Sequence, residues 1–356
     1  MPSASSSPVP SVSVIQAACE RIAVRMRDVQ ERRYYTWMLA VEGIINFSTI
    51  TGDATWRAFA EQDIAQRNWQ PDTKVPWREE PFVSLSWAWA NATGDPKRMA
   101  SYVEGTRDLI RELPRTPDNL ITHPRGVARG GGNAVLLDSF QEYAGRMARA
   151  AKASGDSSFI TECVDQVSKH RALMRDPTTG LWCQGRGWLS GQPMTLSPGT
   201  WSRGQGWLLR GLSAATEALP RSDPAYTAIR TIFIEAVDAA CARQQPSGMW
   251  HALPHRPATE SGPEASGTAF IAAAILRAIR TGVLPATPYR DHAWRAISAL
   301  VPRVDANGMV HDACPGPGPL EKEEPWLVPK FPPGDVHGSG TMLEALVEAL
   351  RMSKQA

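Results

Sequence analysis

The sequence has few cysteines, no excess of charge of one sign and no long apolar run. Its five cysteines are widely spaced and form no CxxC or Cys/His pattern, which predicts reduced thiols in a cytoplasmic protein. Lysine plus arginine (38) nearly balance aspartate plus glutamate (36), so nucleic acid is not predicted as a partner. No apolar segment approaches the roughly 20 residues that cross a bilayer, so no membrane association is predicted either.

Several catalytic signatures are also missing. The seven histidines form no HxH, HExxH or Cys/His cluster, so we predict no metal. The GxSxG elbow of serine hydrolases and the Walker phosphate loop are absent, which argues against nucleotide chemistry. We therefore predict no cofactor and expect a small ligand.

The length of 356 residues and the even composition predict one large domain, because no linker rich in proline, serine and glycine divides the chain. Residues 1–13 are rich in serine and proline and lack the charged and apolar regions of a secretory signal. We predict a disordered lead-in over residues 1–13 and a single domain over residues 14–356.

From Val14 onward, apolar residues recur three and four positions apart, which predicts helices joined by short turns. Two turn types recur between the helices. In the first, a glycine suited to a helix C′ position precedes an aspartate that can cap the next helix. The first type occurs at Gly52-Asp53, Gly94-Asp95 and Gly155-Asp156, and the second at Gly180-Leu181-Trp182, Gly248-Met249-Trp250 and Gly308-Met309-Val310. The repetition predicts about a dozen helices in six hairpins.

Repeated helical hairpins bury their apolar faces on one another, either in a closed ring or in an open solenoid. A ring of six hairpins is the all-α (α/α)6 barrel, whose inner loops surround a cavity. An open solenoid would instead present a long groove to a protein or peptide. The conspicuous tryptophans and glycines lie between the helices rather than along their faces, which favours the barrel.

The segment Trp201-Ser-Arg-Gly-Gln-Gly-Trp207 places two indoles around Arg203. Flat rings can cover the C–H face of a sugar, and a guanidinium can bind both oxygens of a carboxylate. The segment therefore indicates a site for a sugar acid. The alternative is that both tryptophans belong to the core and Arg203 is a surface charge.

Asp138 is the strongest candidate for a catalytic acid. It follows an apolar triplet and precedes Phe140 and Tyr143, and a desolvated carboxyl has a raised pKa that suits a general acid. The alternative is a helix N-cap. Glu79 and Glu80 form a second acidic candidate, although acids also favour the first turn of a helix.

Two further polar candidates lie in glycine-rich loops. Gln184 follows Gly180-Leu181-Trp182 and offers hydrogen-bond donors, although the loop could equally be an irregular turn. His337 lies just before Gly338-Ser339-Gly340, where it could face the same cavity. A lone histidine is more often a surface residue or one with its hydrogen bonds satisfied.

Taken together and in order, these motifs resemble the unsaturated rhamnogalacturonyl hydrolases of glycoside hydrolase family 105, close to the unsaturated glucuronyl hydrolases of family 88. The resemblance runs from about residue 35 to residue 350 and rests on Asp138 and on the segments 180–188, 201–207, 264–269 and 333–340. It implies an (α/α)6 barrel that acts inside cells on short oligosaccharides left by polysaccharide lyases. Such substrates carry a 4-deoxy-4,5-unsaturated uronic acid at the non-reducing end.

The resemblance also assigns roles to residues. Asp138 matches the family acid that protonates C4 and then activates water for C5, so the double bond is hydrated and the anomeric carbon is not attacked. Glu79 or Glu80 falls near a second pocket aspartate of the family. The remaining matches are to substrate-binding positions: Gln184, which stands where the family has a histidine, His123, Trp201, Arg203, Trp207 and His337.

Other activities remain open at this point. A conventional glycosidase or a sugar epimerase could use the same barrel, because a fold does not fix a function. A non-catalytic helical-repeat binder would have its tryptophans in packing positions. The sequence leaves the galacturonyl or glucuronyl origin of the sugar, its neighbour in the chain and the oligomeric state undetermined.

Overall fold

The computed structural model of the protein describes residues 9–28, 35–66, 69, 80–123, 134–188, 194–316, 322–328 and 330–355. Within these residues, the chain forms twelve α-helices: α1 Val12–Asp28, α2 Tyr35–Thr51, α3 Ala54–Ala65, α4 Glu80–Thr93, α5 Pro96–Glu112, α6 Met147–Ser154, α7 Ser158–Met174, α8 Ser202–Ala218, α9 Pro224–Cys241, α10 Ala265–Arg280, α11 Tyr289–Leu300 and α12 His337–Gln355. A π turn over Glu142–Arg146 leads into α6. Two short strands, β1 Val135–Leu136 and β2 Gly185–Arg186, pair antiparallel.

Six of the helices form a closed inner ring. In ring order these are α2, α4, α6 with its π turn, α8, α10 and α12, and α12 packs against α2. Between α4 and the start of the α6 segment, the Gln141 amide donates a hydrogen bond to Ser84 Oγ over 3.1 Å. The other six helices pack outside this ring. The prediction of an (α/α)6 barrel is confirmed, and the open-solenoid alternative is wrong.

Burial distinguishes inner from outer helices. Every residue of α10 from Ala265 to Ala278 is buried, as expected for a helix surrounded on all sides. The outer helix α5 buries only Tyr102, Val103, Thr106 and Leu109, which form one stripe. The sequence pattern of each helix therefore specifies its layer.

The Gly-Asp turns have the predicted geometry. Gly52 and Gly94 adopt φ values of 77° and 76°, which are open to glycine at no steric cost. Asp53 and Asp95 then cap the following helices, with Oδ1 accepting from the backbone N–H of Thr55 and of Lys97, each over 2.9 Å. Each turn reverses the chain from an inner to an outer helix.

The second recurring turn docks on the next inner helix. The Gln205 amide of α8 accepts from the Trp182 N–H over 3.0 Å and donates to the Trp182 carbonyl over 2.6 Å. Thr268 of α10 accepts from the Trp250 N–H over 2.9 Å. These side chains pair backbone groups that would otherwise be buried without partners.

At the amino-terminal end, α1 begins at Val12, so the last two residues of the predicted lead-in are helical. All five cysteines are free thiols. Within the described part of the chain, none of the helices combines the length and the apolar character that crossing a membrane requires.

Candidate active site

The candidate residues gather at one end of the inner ring. Inner helices of a hairpin ring run in the same direction, so their amino termini share a rim. Trp201 is the N-cap of α8, Glu264 is the N-cap of α10, His337 is the first residue of α12, and Asp138 precedes the α6 segment. At two of these helix starts the backbone N–H groups already have acidic partners: Ser266 and Gly267 donate to Glu264, and His337 donates to Asp335 Oδ1.

Asp138 lies in a 3-10 turn, Leu137–Ser139, directly after β1. Its side chain is half-buried, and Oδ1 accepts a hydrogen bond from Gln184 Nε2 over 3.0 Å. The N-cap positions of the 3-10 turn and of the π turn that follows are Leu136 and Gln141. The structure therefore does not support the N-cap interpretation of Asp138.

Gln184 is fixed from several sides. It is completely buried, its N–H donates to the Gly199 carbonyl over 2.9 Å, and its carbonyl accepts from the Leu137 N–H over 3.0 Å. On α8, a Cβ placed on Gly204 would overlap Gln184 Oε1. The Gln184 amide group thus lies between Asp138 and α8, the helix that carries Arg203.

Arg203 is 1% exposed, and its guanidinium lies over the Trp201 ring, 4.1 Å from Cζ to the ring centroid. Its Nη1 donates to Ser266 Oγ over 3.0 Å and to the Cys314 carbonyl over 2.5 Å. The cation is therefore anchored to α10 and to the loop before α12. The alternative of a surface charge is wrong.

His337 stands close to the same cation. A Cβ on Gly316 would lie 3.0 Å from His337 Nε2 and 3.6 Å from Arg203 Nη2, so both side chains face this glycine. His337 Nδ1 lies 2.5 Å from Asp335 Oδ1. Burial and then the charge of Arg203 lower the pKa of His337, against an opposing effect of Asp335. The imidazole is therefore neutral at physiological pH.

Both tryptophans of the 201–207 segment are buried. Trp201 is 1% exposed and stacks on Trp326, with ring centroids 6.2 Å apart. Trp207 packs against Phe270 at 4.6 Å. The structure shows packing contacts for both rings, as in the core alternative, and stacking of either ring on a sugar stays a prediction.

His123 and the two glutamates complete the predicted set. His123 is buried beside Trp188, with ring centroids 5.5 Å apart, and burial lowers its pKa to about 3. Glu80 is the first residue of α4. Glu79 and the side chain of Glu80 lie outside the described residues.

No role is predicted for Glu264 from the sequence, although it opens segment 264–269, which contributes to the family resemblance. This fully buried carboxylate accepts hydrogen bonds from the N–H groups of Gly267 and Cys314, the N–H and Oγ of Ser266, and Oγ of Ser202. It joins the starts of α8 and α10 to the loop that carries Cys314. Glutamate is not among the preferred N-cap residues, so the residue types at this helix start do not mark the position.

A family model described as Glycosyl Hydrolase Family 88 matches residues 14–353. The protein belongs to this family.

Solved structures show the same fold. A possible family 105 member from Salmonella enterica serovar Paratyphi A superposes with a TM-score of 0.82 at 20% identity, covering 97% of this chain and 95% of the other. A family 105 hydrolase from C. acetobutylicum gives 0.78 at 20%, covering 93% and 98%. Unsaturated glucuronyl hydrolase from Bacillus sp. GL1 gives 0.70 at 15%, covering 94% and 96%. No curated protein matches this chain.

Proposed function

We propose that this protein removes a terminal 4,5-unsaturated uronic acid, of galacturonyl or glucuronyl type, from short oligosaccharides by hydrating the C4=C5 double bond. The observation that carries the proposal is the placement of Asp138 on the rim, where Gln184 connects it to the helix start that bears Arg203. Family membership supports the hydrolase class, and the Bacillus structure of the same fold is named as an unsaturated glucuronyl hydrolase.

The substrate suits the charges of the rim. An unsaturated uronic acid carries a carboxylate on C5, next to the double bond. The buried guanidinium of Arg203 supplies a positive charge for this carboxylate. The neutral imidazole of His337 can donate or accept a hydrogen bond beside it without adding charge.

One carboxyl group is sufficient for the reaction. Protonated Asp138 gives its proton to C4, and the positive charge that develops is shared by C5 and the ring oxygen. The Asp138 carboxylate then takes a proton from water as the water oxygen bonds to C5. This step returns Asp138 to its protonated form. The C5–ring oxygen bond of the hemiketal then breaks as the hydroxyl proton moves to the ring oxygen, which leaves a ketone at C5 and a hemiacetal at C1. The hemiacetal passes its hydroxyl proton to the bridging oxygen as the C1 bond to the next sugar breaks and the C1 aldehyde forms. Ordinary glycosidases instead place two carboxyl groups about the anomeric carbon.

The first test is the Asp138→Asn variant. Loss of general acid–base catalysis lowers kcat by a factor on the order of 10²–10⁴, because the amide cannot donate and regain a proton. The assay follows the ultraviolet absorbance of the conjugated enol ether, which hydration removes. Asp53→Asn is the matched control, since asparagine caps α3 about as well as aspartate and the position is far from the rim. Unchanged turnover in Asp138→Asn would refute the proposal.

The second test is a substrate panel. We expect turnover of lyase-generated unsaturated disaccharides and none of their saturated counterparts. A conventional glycosidase would cleave saturated substrates, and an epimerase would release no sugar. Comparison of galacturonyl with glucuronyl substrates then defines the sugar. We also propose a cytoplasmic location, which the five free thiols support.

A further inference from the structure

Gln184 is a predicted binding residue whose side chain is completely enclosed by protein. Its exposed fraction is 0%. Its Oε1 faces Gly204 and has no hydrogen-bond partner among the described residues. Its amide Nε2 donates a hydrogen bond to Asp138 Oδ1 over 3.0 Å.

The backbone of Gln184 keeps this contact in register. Its carbonyl accepts from the Leu137 N–H, one residue before Asp138, and its N–H donates to Gly199. The adjacent strand pair aligns Leu136 with Gly185. One backbone contact and one side-chain contact therefore tie residue 184 to the turn that carries Asp138, although the two residues are 46 positions apart.

The hydrogen bond distinguishes the two oxygens of the carboxyl group. The amide N–H donates to Oδ1, so this oxygen acts as an acceptor in the contact. We propose that Gln184 is a positioning residue that fixes the orientation of the Asp138 carboxyl group relative to the substrate double bond. This inference rests on the proposed function and assigns Gln184 an action through Asp138 in place of direct contact with the sugar.

An amide has a further property that suits this position. It stays neutral at all working pH values, so it orients the carboxyl group without adding a charge that would bind or repel its proton. The other ionisable groups described at this rim include Arg203, Glu264, His337 with Asp335, and His123. Substitutions at residue 184 leave all of these in place.

The test uses Gln184→Met, which keeps the volume and removes the hydrogen bond, and Gln184→Glu, which keeps the shape and adds a negative charge. Titration of Asp138 is followed by NMR of protein labelled with ¹³C at the aspartate carboxyl carbons, with Asp138→Asn assigning the signal. Loss of a donor raises the pKa of Asp138, and a neighbouring carboxylate raises it further. The inference is overturned if neither variant moves this titration.

Kinetics provide the second readout. We expect Gln184→Met to lower kcat by roughly 10- to 100-fold with little change in KM, because the lost contact orients the acid and does not bind the sugar. A rise in KM at constant kcat would overturn the inference in favour of direct sugar binding.

The matched control is Gln205→Met. Gln205 is also a buried glutamine, but its amide pairs with the backbone of Trp182. This control should lower stability without moving the Asp138 titration. If wild-type protein hydrates no unsaturated uronide while the Asp138 titration still moves in the Gln184 variants, the proposed function fails and the Gln184–Asp138 contact stands.

Discussion

Two buried polar regions of the inner ring hold their charges in different ways. Deep in the barrel, Glu344 accepts from Arg210 over 2.6 Å and from Arg277 over 2.7 Å, while Glu348 pairs with Arg277, Arg280 and Arg351. At the rim, the carboxylates of Asp138 and Glu264 accept hydrogen bonds from neutral amide and hydroxyl groups.

The difference determines which region can exchange protons. Burial opposes ionisation of Glu348, but Arg277, Arg351 and Arg280 outweigh it and lower its pKa to about 2. The glutamates and arginines of the deep region therefore stay charged at all working pH values. Their ion pairs hold the inner helices together. Arg210 of α8 also binds Glu42 of α2, so these ion pairs cross the barrel. In the proposed reaction, Asp138 transfers the proton at the rim, where a neutral amide donates to its carboxyl group.

Breaking a deep ion pair is expected to give the largest effect on stability. Glu344→Gln leaves Arg210 and Arg277 short of a buried counter-charge and should cost about 3 kcal/mol of unfolding free energy. Urea denaturation measures this cost, and turnover per folded molecule should stay close to wild type. Glu104→Gln on the surface of α5 is the control and should cost under about 0.5 kcal/mol. Equal losses of unfolding free energy in the two variants would show that the buried ion pairs contribute no more to stability than the surface pair.

Acid should weaken the deep region selectively. Because the pKa of Glu348 falls from 4.5 to about 2 on folding, its stabilisation is complete above pH 4.5 and is lost as the pH drops toward 2. At neutral pH the shift corresponds to about 3 kcal/mol. The unfolding free energies of wild type and Glu348→Gln should therefore converge as pH falls from 5 to 2. A constant difference over this range would contradict the assignment.

Adding a methyl group at Gly204 should lower activity by displacing Gln184. In Gly204→Ala, the new Cβ overlaps Gln184 Oε1 and displaces the amide from Asp138, which should lower kcat by about tenfold. In a Gln184→Ala background the methyl group has space, so the same change should cost little more. Full additivity of the two substitutions would show that Gly204 does not act through Gln184.

Outer helix caps should give the smallest effects. Asp95→Ala removes the side chain that accepts from the N–H groups of Lys97 and Arg98 and should cost about 1 kcal/mol of stability. Activity at low temperature should not change. Asp95→Asn should restore most of the stability, because asparagine keeps the capping oxygen. If it does not, the stabilisation comes from the negative charge of Asp95 and not from the capping hydrogen bonds.

Local features were predictable from the sequence. The Gly52-Asp53 turn needs one positive φ and one hydrogen bond two residues away, so the residue types alone specify it. The repetition of such turns also predicted the number of hairpins, and loop placement indicated a closed ring.

Features that join distant segments were not predictable. Trp201 stacks on Trp326, which follows 125 positions later (326 − 201), and nothing in the local sequence indicates this contact. The carboxylate of Glu264 collects donors from α8, α10 and the Cys314 loop, and no local pattern records that combination. The bond between Gln184 and Asp138 likewise depends on how β1 and β2 pair.

The most direct test of the account is proton NMR of the reaction in D₂O with an unsaturated disaccharide. Hydration through Asp138 predicts that the vinyl H4 signal disappears and that one deuterium is incorporated at C4 of the product. A product that keeps the vinyl proton and carries no deuterium at C4 would show displacement at the anomeric carbon and would contradict the account.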